Sequence, residues 1–399
     1  MKTEIITNDI ARAAELIRAG ELVAVPTETV YGLAGNGLDP EVVERIYEIK
    51  GRPAVKPIAL MVAGAGSMRK YCSGVPAQAQ TLAKRFWPGP LSIVLKAKDI
   101  VPEVVRAGGS TVSLRCPDHE LTLKALKKAK LPFAAPSANP SDEESPKNAA
   151  QVLGYFDGKI AAVIDGGECG IGRESTVIDM SGTPYRILRQ GALPEADIRR
   201  ALADELTVIG ISGGTGCGKT TALGQLESRG ALVIDCDAVY HELLEESTQM
   251  LADIERRFPG TVTDGRLDRK NLGAVVFSNA EALEALNAIT HRYIGERVQQ
   301  LLEDWAMRGG KLAAIDAIGL KESGLSERCK CTVAVVAERM TRMERIMKRD
   351  GISAEYAMMR INAQPPNEYF EANCDHVLRN DGSQDDFIKE CKKLFREVI

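Results

Sequence analysis

The chain has 399 residues, 44% hydrophobic and 27% charged, with a formal net charge of −4; the length suggests two or three domains, and the balance is that of a globular protein rather than a disordered one. The mild acidity argues against a uniformly basic nucleic-acid surface, so no stable nucleic-acid binding is expected, and with no apolar run near the roughly 18 residues of a membrane helix, no membrane association is expected either. Nine scattered cysteines without a Cys-x-x-Cys pair, four histidines without ligand spacing and a start, Met1-Lys2-Thr3-Glu4, lacking an apolar signal core point to a cytoplasmic protein with reduced thiols and no zinc site.

Thr7-Asn8-Asp9 offers helix caps, and Ile10, Ala13, Ala14 and Ile17 then recur at helical spacing as far as Gly20. Residues 22–25 read as a strand ended by Pro26, 39–49 as a helix, 58–62 as a strand, and 78–86 as a helix stopped by Trp87-Pro88-Gly89-Pro90. Strands over 91–96 and 111–115 follow, then a helix over 121–130. Strands over 132–135, 161–165, 175–179 and 186–189 come next, and 195–203 is a closing helix. Strands and helices alternate in both halves, which predicts an α/β protein. Only Ala203-Asp204-Glu205 separates the closing helix from the next strand, so the domains are expected at 1–204 and 205–399.

The second half begins with an apolar run over 206–211. Gly213-Gly214-Thr215-Gly216-Cys217-Gly218-Lys219-Thr220 follows as G-x-x-x-x-G-K-T, then a helical run over 221–227. Strand, glycine loop and helix is the setting of a phosphate loop, whose backbone N–H groups and helix dipole face phosphate oxygens. In this reading Gly213 to Thr220, with Thr221, cradle ATP, Lys219 reaches the β- and γ-phosphates and Thr220 holds Mg²⁺ through its hydroxyl. The plainer alternative is a glycine turn beside a surface lysine. Leu232-Val233-Ile234-Asp235-Cys236-Asp237 reads as a buried strand ending in two carboxylates, where open parallel sheets bind ligands. Either of Asp235 and Asp237 would meet the phosphate-accepting hydroxyl or the metal, or one of them merely caps the next helix. A strand over 312–315 ends at Asp316, a further metal-side carboxylate.

These motifs, together with Gly265-Arg266-Leu267-Asp268-Arg269, Leu286-Asn287, His291, Lys348-Arg349-Asp350-Gly351, Gln364 and Asn380-Asp381-Gly382, resemble the dephospho-CoA kinase family over about residues 206–399. The resemblance implies a P-loop kinase domain with a parallel sheet and a helical lid. It implies ATP- and Mg²⁺-dependent phosphorylation of the ribose 3′-hydroxyl of dephospho-CoA, with Asp237 as general base beside Asp235. Arg345 and Arg349 are then the lid arginines that neutralise the transferring phosphoryl group. Lys321, where the family commonly has an aromatic residue, is a departure. Another small-molecule P-loop kinase is the alternative; a GTPase lacks support because no Asn-Lys-x-Asp occurs.

In the first half the signals are smaller. Pro26-Thr27-Glu28-Thr29 closes a strand with hydroxyls, and Lys50, Arg52 and Lys56 put three cations within seven residues. Pro136-Ser137-Ala138-Asn139-Pro140 is a rigid polar loop, and Glu174-Ser175-Thr176 opens a strand after a glycine-rich stretch. Each alone reads as a solvated helix end or a capping turn. Together they supply the cations, hydroxyls and amides that hold phosphates and carboxylates.

With Tyr31-Gly32-Leu33, Trp87-Pro88-Gly89-Pro90, Arg115-x-Pro117-x-His119 and Leu188-Arg189-x-Gly191, the set resembles the YrdC/Sua5 family over about residues 8–202. The resemblance implies a YrdC-like twisted α/β sheet domain. Its reaction joins L-threonine, bicarbonate and ATP into threonylcarbamoyl-AMP and pyrophosphate for tRNA modification, with tRNA-modification proteins as possible partners. It implies that Lys50, Arg52, Lys56, Ser137, Asn139, Ser175 and Arg189 hold the nucleotide, while Thr27, Tyr31, Arg115 and His119 face threonine and the carbamoyl group. The Trp-Pro-Gly-Pro turn is expected to be structural. A different class of function, an RNA-binding or regulatory module serving the kinase, is the alternative for this half.

Overall fold

The structure is a computed structural model and describes residues 2–399. The chain divides into two compact units, one running to Asp204 together with Met307–Gly309, the other comprising Glu205–Ala306 and Gly310–Ile399. Among the described residues no helix is long and apolar enough to cross a membrane.

In the first unit Asp9 accepts a hydrogen bond from the Arg12 amide and so opens the helix Ile10–Arg18, which buries Ile10, Ala13, Ala14 and Ile17. That apolar face shares one cluster with Ala125, Leu126 and Ala129 of the helix Glu120–Ala129 and with Val23, Val25, Phe133 and Ile164 from the sheet. Full burial of residues such as Ile17 and Phe133 stabilises the unit by about 1.5–3 kcal/mol each.

The sheet has ten strands of mixed direction. In spatial order they are Glu4–Ile6, Ala162–Ile164, Val23–Val25, Gly32–Asn36, Phe133–Ala134, Leu60–Met61, Thr111–Arg115, Leu91–Lys96, Thr176–Asp179 and Arg186–Arg189. Two of these, Glu4–Ile6 and Gly32–Asn36, carry no clear sequence signal. Gly-Leu-Ala-Gly-Asn is poor in strand formers, yet Gly35 is what allows the helix Pro40–Lys50 onto the strand. A Cβ there would lie 2.6 Å from Val42 Cγ1 and 2.8 Å from Leu22 Cδ2.

The second unit is built on a five-stranded, all-parallel sheet in the order Leu232–Asp235, Leu312–Asp316, Thr207–Ser212, Cys331–Val336, His376–Arg379. Thr207–Ser212 is central, so the glycine loop that follows it emerges between the carboxyl ends of its neighbours. Asp235 and Asp316 are direct cross-strand partners there. The strand expected over 232–237 is shorter than its apolar pattern suggests. It stops at Asp235, whose carboxylate accepts from the Asp237 and Ala238 amides at 2.9 and 3.2 Å and caps the helix Cys236–Glu246. Asp237 therefore stands in the first turn of a helix. The helices Arg339–Asp350 and Ala354–Asn362 form a hairpin closed by Ile346, Ala357 and Ile361.

Candidate active sites

In the second unit the loop's shape comes from its glycines. Gly218 has φ +103°, and a Cβ on it would sit 2.1 Å from Asn380 Nδ2, which donates to Cys217 O at 2.9 Å. A Cβ on Gly213 would sit 2.1 Å from the Val335 carbonyl oxygen. Lys219 opens the helix Lys219–Glu227, and its ammonium donates to Gly213 O at 2.9 Å and lies 3.6 Å from Asp316 Oδ1.

A cavity of about 410 Å³ runs along this loop. It gathers Gly214, Thr215, Gly216, Gly218, Lys219, Thr220, Asp237, Asp316, Arg345 and Arg349. Gly213, Cys217, Thr221 and Asp235 do not line it. Gly213 and Cys217 shape the loop through their carbonyls, and Asp235 is engaged as the helix cap.

Burial pushes the Asp316 carboxyl up to about 6; Lys219 opposes the shift, and Asp235 and Asp237 reinforce it. Its Oδ1 is buried without a hydrogen-bond partner, and so is Nη1 of Arg345, whose Nη2 donates to Asn380 Oδ1 at 3.2 Å. A cation and an anion would satisfy these two atoms respectively.

Three further residues on the cavity, Ile318, Arg360 and Gln364, were not marked as site residues by the sequence. Gln364 Oε1 accepts from the Thr215 amide at 2.7 Å and from Arg342 Nη2 at 3.2 Å. Arg342, buried at 2% exposure, also donates from Nε to Thr215 O at 2.9 Å. Asp350 pairs with both Arg349 and Arg360, and these partners hold its carboxyl down at about 2. The spacing of Arg342, Arg345 and Arg349, three and then four residues apart on one helix, was the signal that could have found Arg342.

In the first unit a cavity of about 320 Å³ is lined by Tyr31, Arg52, Arg115, Ser137, Ser175 and Arg189 among the sequence-marked residues. Ser92, Ser113, Glu174 and an apolar wall including Met61, Val94, Val177 and Leu188 complete it. Arg52 is fixed by donating to Lys56 O at 3.0 Å and Pro57 O at 2.8 Å. Arg189 donates to Ser175 O at 3.1 and 3.0 Å and pairs with Glu174. Ser175 and Ser92 share a hydrogen bond of 2.9 Å. Arg115 is held by Glu28 at 2.7 Å and Thr29 at 2.8 Å, and its Nε is buried without a partner.

Five marked residues lie off this cavity. Lys50 is 3% exposed, and its ammonium donates to the Ser137 carbonyl at 2.5 Å and to that of Asn139. Burial, with Arg52 adding repulsion, brings it down to about 8. Asn139 is spent on Pro140 O and Glu143 O, both at 2.8 Å. These two residues shape the Ser137 loop from behind. Lys56 is exposed. Thr27 is fully buried; its hydroxyl donates to Val30 O at 2.6 Å and accepts from the Thr29 and Val30 amides, which locks a turn. His119 lies against Gly166, and burial holds its imidazole below the usual range. Tyr31 reaches the cavity, but its hydroxyl donates to Gly167 O at 2.8 Å and accepts from the Gly166 amide; burial pushes it up to about 12. Trp87 donates to Leu91 O at 2.7 Å, a structural bond within its turn.

A glycine loop between a parallel strand and a helix, with carboxylates at the neighbouring strand ends, makes the second unit a phosphate-loop kinase fold. The first unit is a mixed-sheet domain whose cleft collects cations without such a loop. Residues 207–386 match the dephospho-CoA kinase family, and residues 15–191 match the Sua5/YciO/YrdC family, described as telomere recombination. The chain belongs through its second half to the dephospho-CoA kinases, a family of ATP-using kinases, and its first half is a Sua5/YciO/YrdC domain.

A dephospho-CoA kinase of Thermobifida fusca is 34% identical over 192 residues, 48% of this chain and 95% of that protein. A threonylcarbamoyl-AMP synthase of Pyrococcus abyssi is 48% identical over 192 residues, 48% of this chain and 56% of the relative. One from Bacillus subtilis is 44% identical over 202 residues, 50% and 58% of the two chains. The chain thus spans little more than half the length of these two synthases.

Proposed function

We propose that the second unit transfers the γ-phosphoryl group of ATP to the ribose 3′-hydroxyl of dephospho-CoA, giving CoA and ADP. The observation that carries this reading is the cavity that faces the glycine loop with Asp237 and Asp316 and with Arg345, Arg349 and Arg360. Asp237 takes the proton of the hydroxyl as its oxygen attacks phosphorus, while Asp235 stays bound to its helix amides. Lys219 and the arginines balance charge on the phosphoryl oxygens as the bond to the leaving ADP breaks. Thr220 and Asp316, whose buried Oδ1 has the Lys219 ammonium 3.6 Å away but no hydrogen-bond partner, would hold a Mg²⁺ ion. The ion would supply charge neutralisation there. Purified protein with Mg-ATP should form ADP when dephospho-CoA is added; no ADP formation refutes the assignment.

For the first unit we infer synthesis of threonylcarbamoyl-AMP from L-threonine, bicarbonate and ATP with release of pyrophosphate. Support comes from Arg52, Ser137, Ser175 and Arg189 around one cleft with Arg115 and an apolar wall. No nucleophilic side chain is needed, because the work is alignment of reactants and neutralisation of the triphosphate. Pyrophosphate release that requires both threonine and bicarbonate supports the reading; strongly salt-dependent tRNA binding without that release would instead favour an RNA-binding module.

A further inference from the structure

The cleft of the first unit keeps one carboxylate among its cations. Glu174 lines it beside Arg52, Ser137, Ser175 and Arg189. Its Oε2 pairs with Nη1 of Arg189, and its Oε1 accepts from the Ser145 hydroxyl at 3.3 Å. Ser145 lies on the segment that continues from Ser137, and Arg189 ends the strand Arg186–Arg189. The carboxylate therefore ties Arg189 on the cleft wall to the segment that runs on from Ser137.

The other bonds of Arg189 go to Ser175, its carbonyl at 3.1 and 3.0 Å and its hydroxyl at 3.3 Å, so among the described residues Glu174 is its one ion-pair partner. Glu174 also favours the charged forms of Lys50 and Arg52. The pair is 46% and 38% exposed on its two side chains, so it opens at small cost and an arriving ligand can reach it. A fixed carboxylate in a phosphate cleft would repel its own ligand. One that is partly exposed can turn toward water, which screens the charge it keeps, and leave its arginine to the ligand.

We propose that Glu174 is an exchangeable counter-ion. It holds Arg189 and steadies the Ser145 segment while the cleft is empty, and it yields Arg189 to a phosphate group of the nucleotide. This rests on the reading of the cleft as a nucleotide site. A phosphate-bearing ligand has to break the Glu174 pair, whereas a nucleoside without phosphate does not. Glu174 is in this sense a specificity-determining residue, setting how much negative charge a ligand must bring.

The test is calorimetric titration of the full chain with ATP and with adenosine, in EDTA, on a Lys219→Ala background that weakens the glycine loop. Glu174→Gln, which keeps the side-chain shape, should bind ATP about three-fold or more tighter. Adenosine binding and the melting temperature should stay unchanged, and Glu174→Ala should move ATP affinity in the same direction. Arg52→Ala should weaken ATP binding. If Arg52→Ala weakens it while Glu174→Gln leaves ATP affinity unchanged or lower, the counter-ion role is overturned and the cleft remains a nucleotide site. If Arg52→Ala leaves ATP binding intact, the cleft reading itself falls, and this role with it.

Discussion

In the second unit the groups that would meet phosphate oxygens are largely backbone N–H donors, held by glycine conformations such as Gly218 at φ +103°. In the first unit they are side chains, Arg52, Arg115, Ser137, Ser175 and Arg189, drawn from five separate stretches. Backbone donors come in sequence order, so a site built from them is contiguous and stays together when the local turn forms. Side-chain cations need bracing, and the first unit braces them with carbonyls: Lys56 and Pro57 for Arg52, Ser175 for Arg189. One site starts from a local backbone loop that Asn380, Arg342 and Gln364 brace, the other is assembled wholly from side chains of distant stretches, and the two should fail differently.

The largest expected effect is at the loop. Lys219→Ala should lower dephospho-CoA-dependent ADP formation by about 10³-fold and leave threonine-dependent pyrophosphate release intact; equal loss of both rates would break the comparison. Arg52→Ala should do the reverse, reducing pyrophosphate release by about 10²-fold with ADP formation unchanged.

A smaller effect follows from Lys50. Its ammonium is charged below about 8 and loses its proton above that, instead of near the ordinary 10.5. Pyrophosphate release should therefore decline above about pH 8 as the Ser137 loop loses its clamp. Between about 8 and 10.5 the unfolded chain holds this proton more firmly than the folded one, so this group makes folding more favourable as pH rises. Urea unfolding at the same pH values separates the two effects, and a flat rate profile through pH 9 would discard the clamp.

The smallest effect is at Thr27. Thr27→Val should cost about 1–3 kcal/mol in urea unfolding, because the Thr29 and Val30 amides lose their acceptor. The KM for threonine should not change; a raised KM in a fully stable variant would return Thr27 to the substrate site.

How much of each site was legible follows from the same contrast. The loop from Gly213 to Thr220 and the helix after it are written in consecutive residues, Asp316 closes an apolar run of its own, and ten of the fourteen residues marked in this half line the cavity. The expected role of Asp235 was open, because a carboxylate at a strand end can cap a helix or face a ligand; here it caps. In the first unit the segments were legible, but the direction of each side chain was not. Lys50 and Asn139 point behind the loop they support, and Thr27 points into its own turn. Glu174 is legible only as the residue that opens the Ser175-Thr176 strand, because its meaning lies in Arg189 and Ser145, fifteen and twenty-nine residues away.

By itself the sequence determined what depends on neighbours along the chain: helix caps such as Asp9 and the apolar faces they open, the alternation of strands and helices, and the phosphate loop. Helical periodicity, capping and glycine turns act over a few residues, so their signal survives in the order of letters. Tertiary structure alone decided that Gly32–Asn36 is a strand, since the helix Pro40–Lys50 needs the missing side chain of Gly35. It also decided which cations face the first cleft and which are spent on carbonyls behind it. A lysine or an arginine is the same letter in either setting, and the partner that fixes its direction is brought near only when the sheet is assembled.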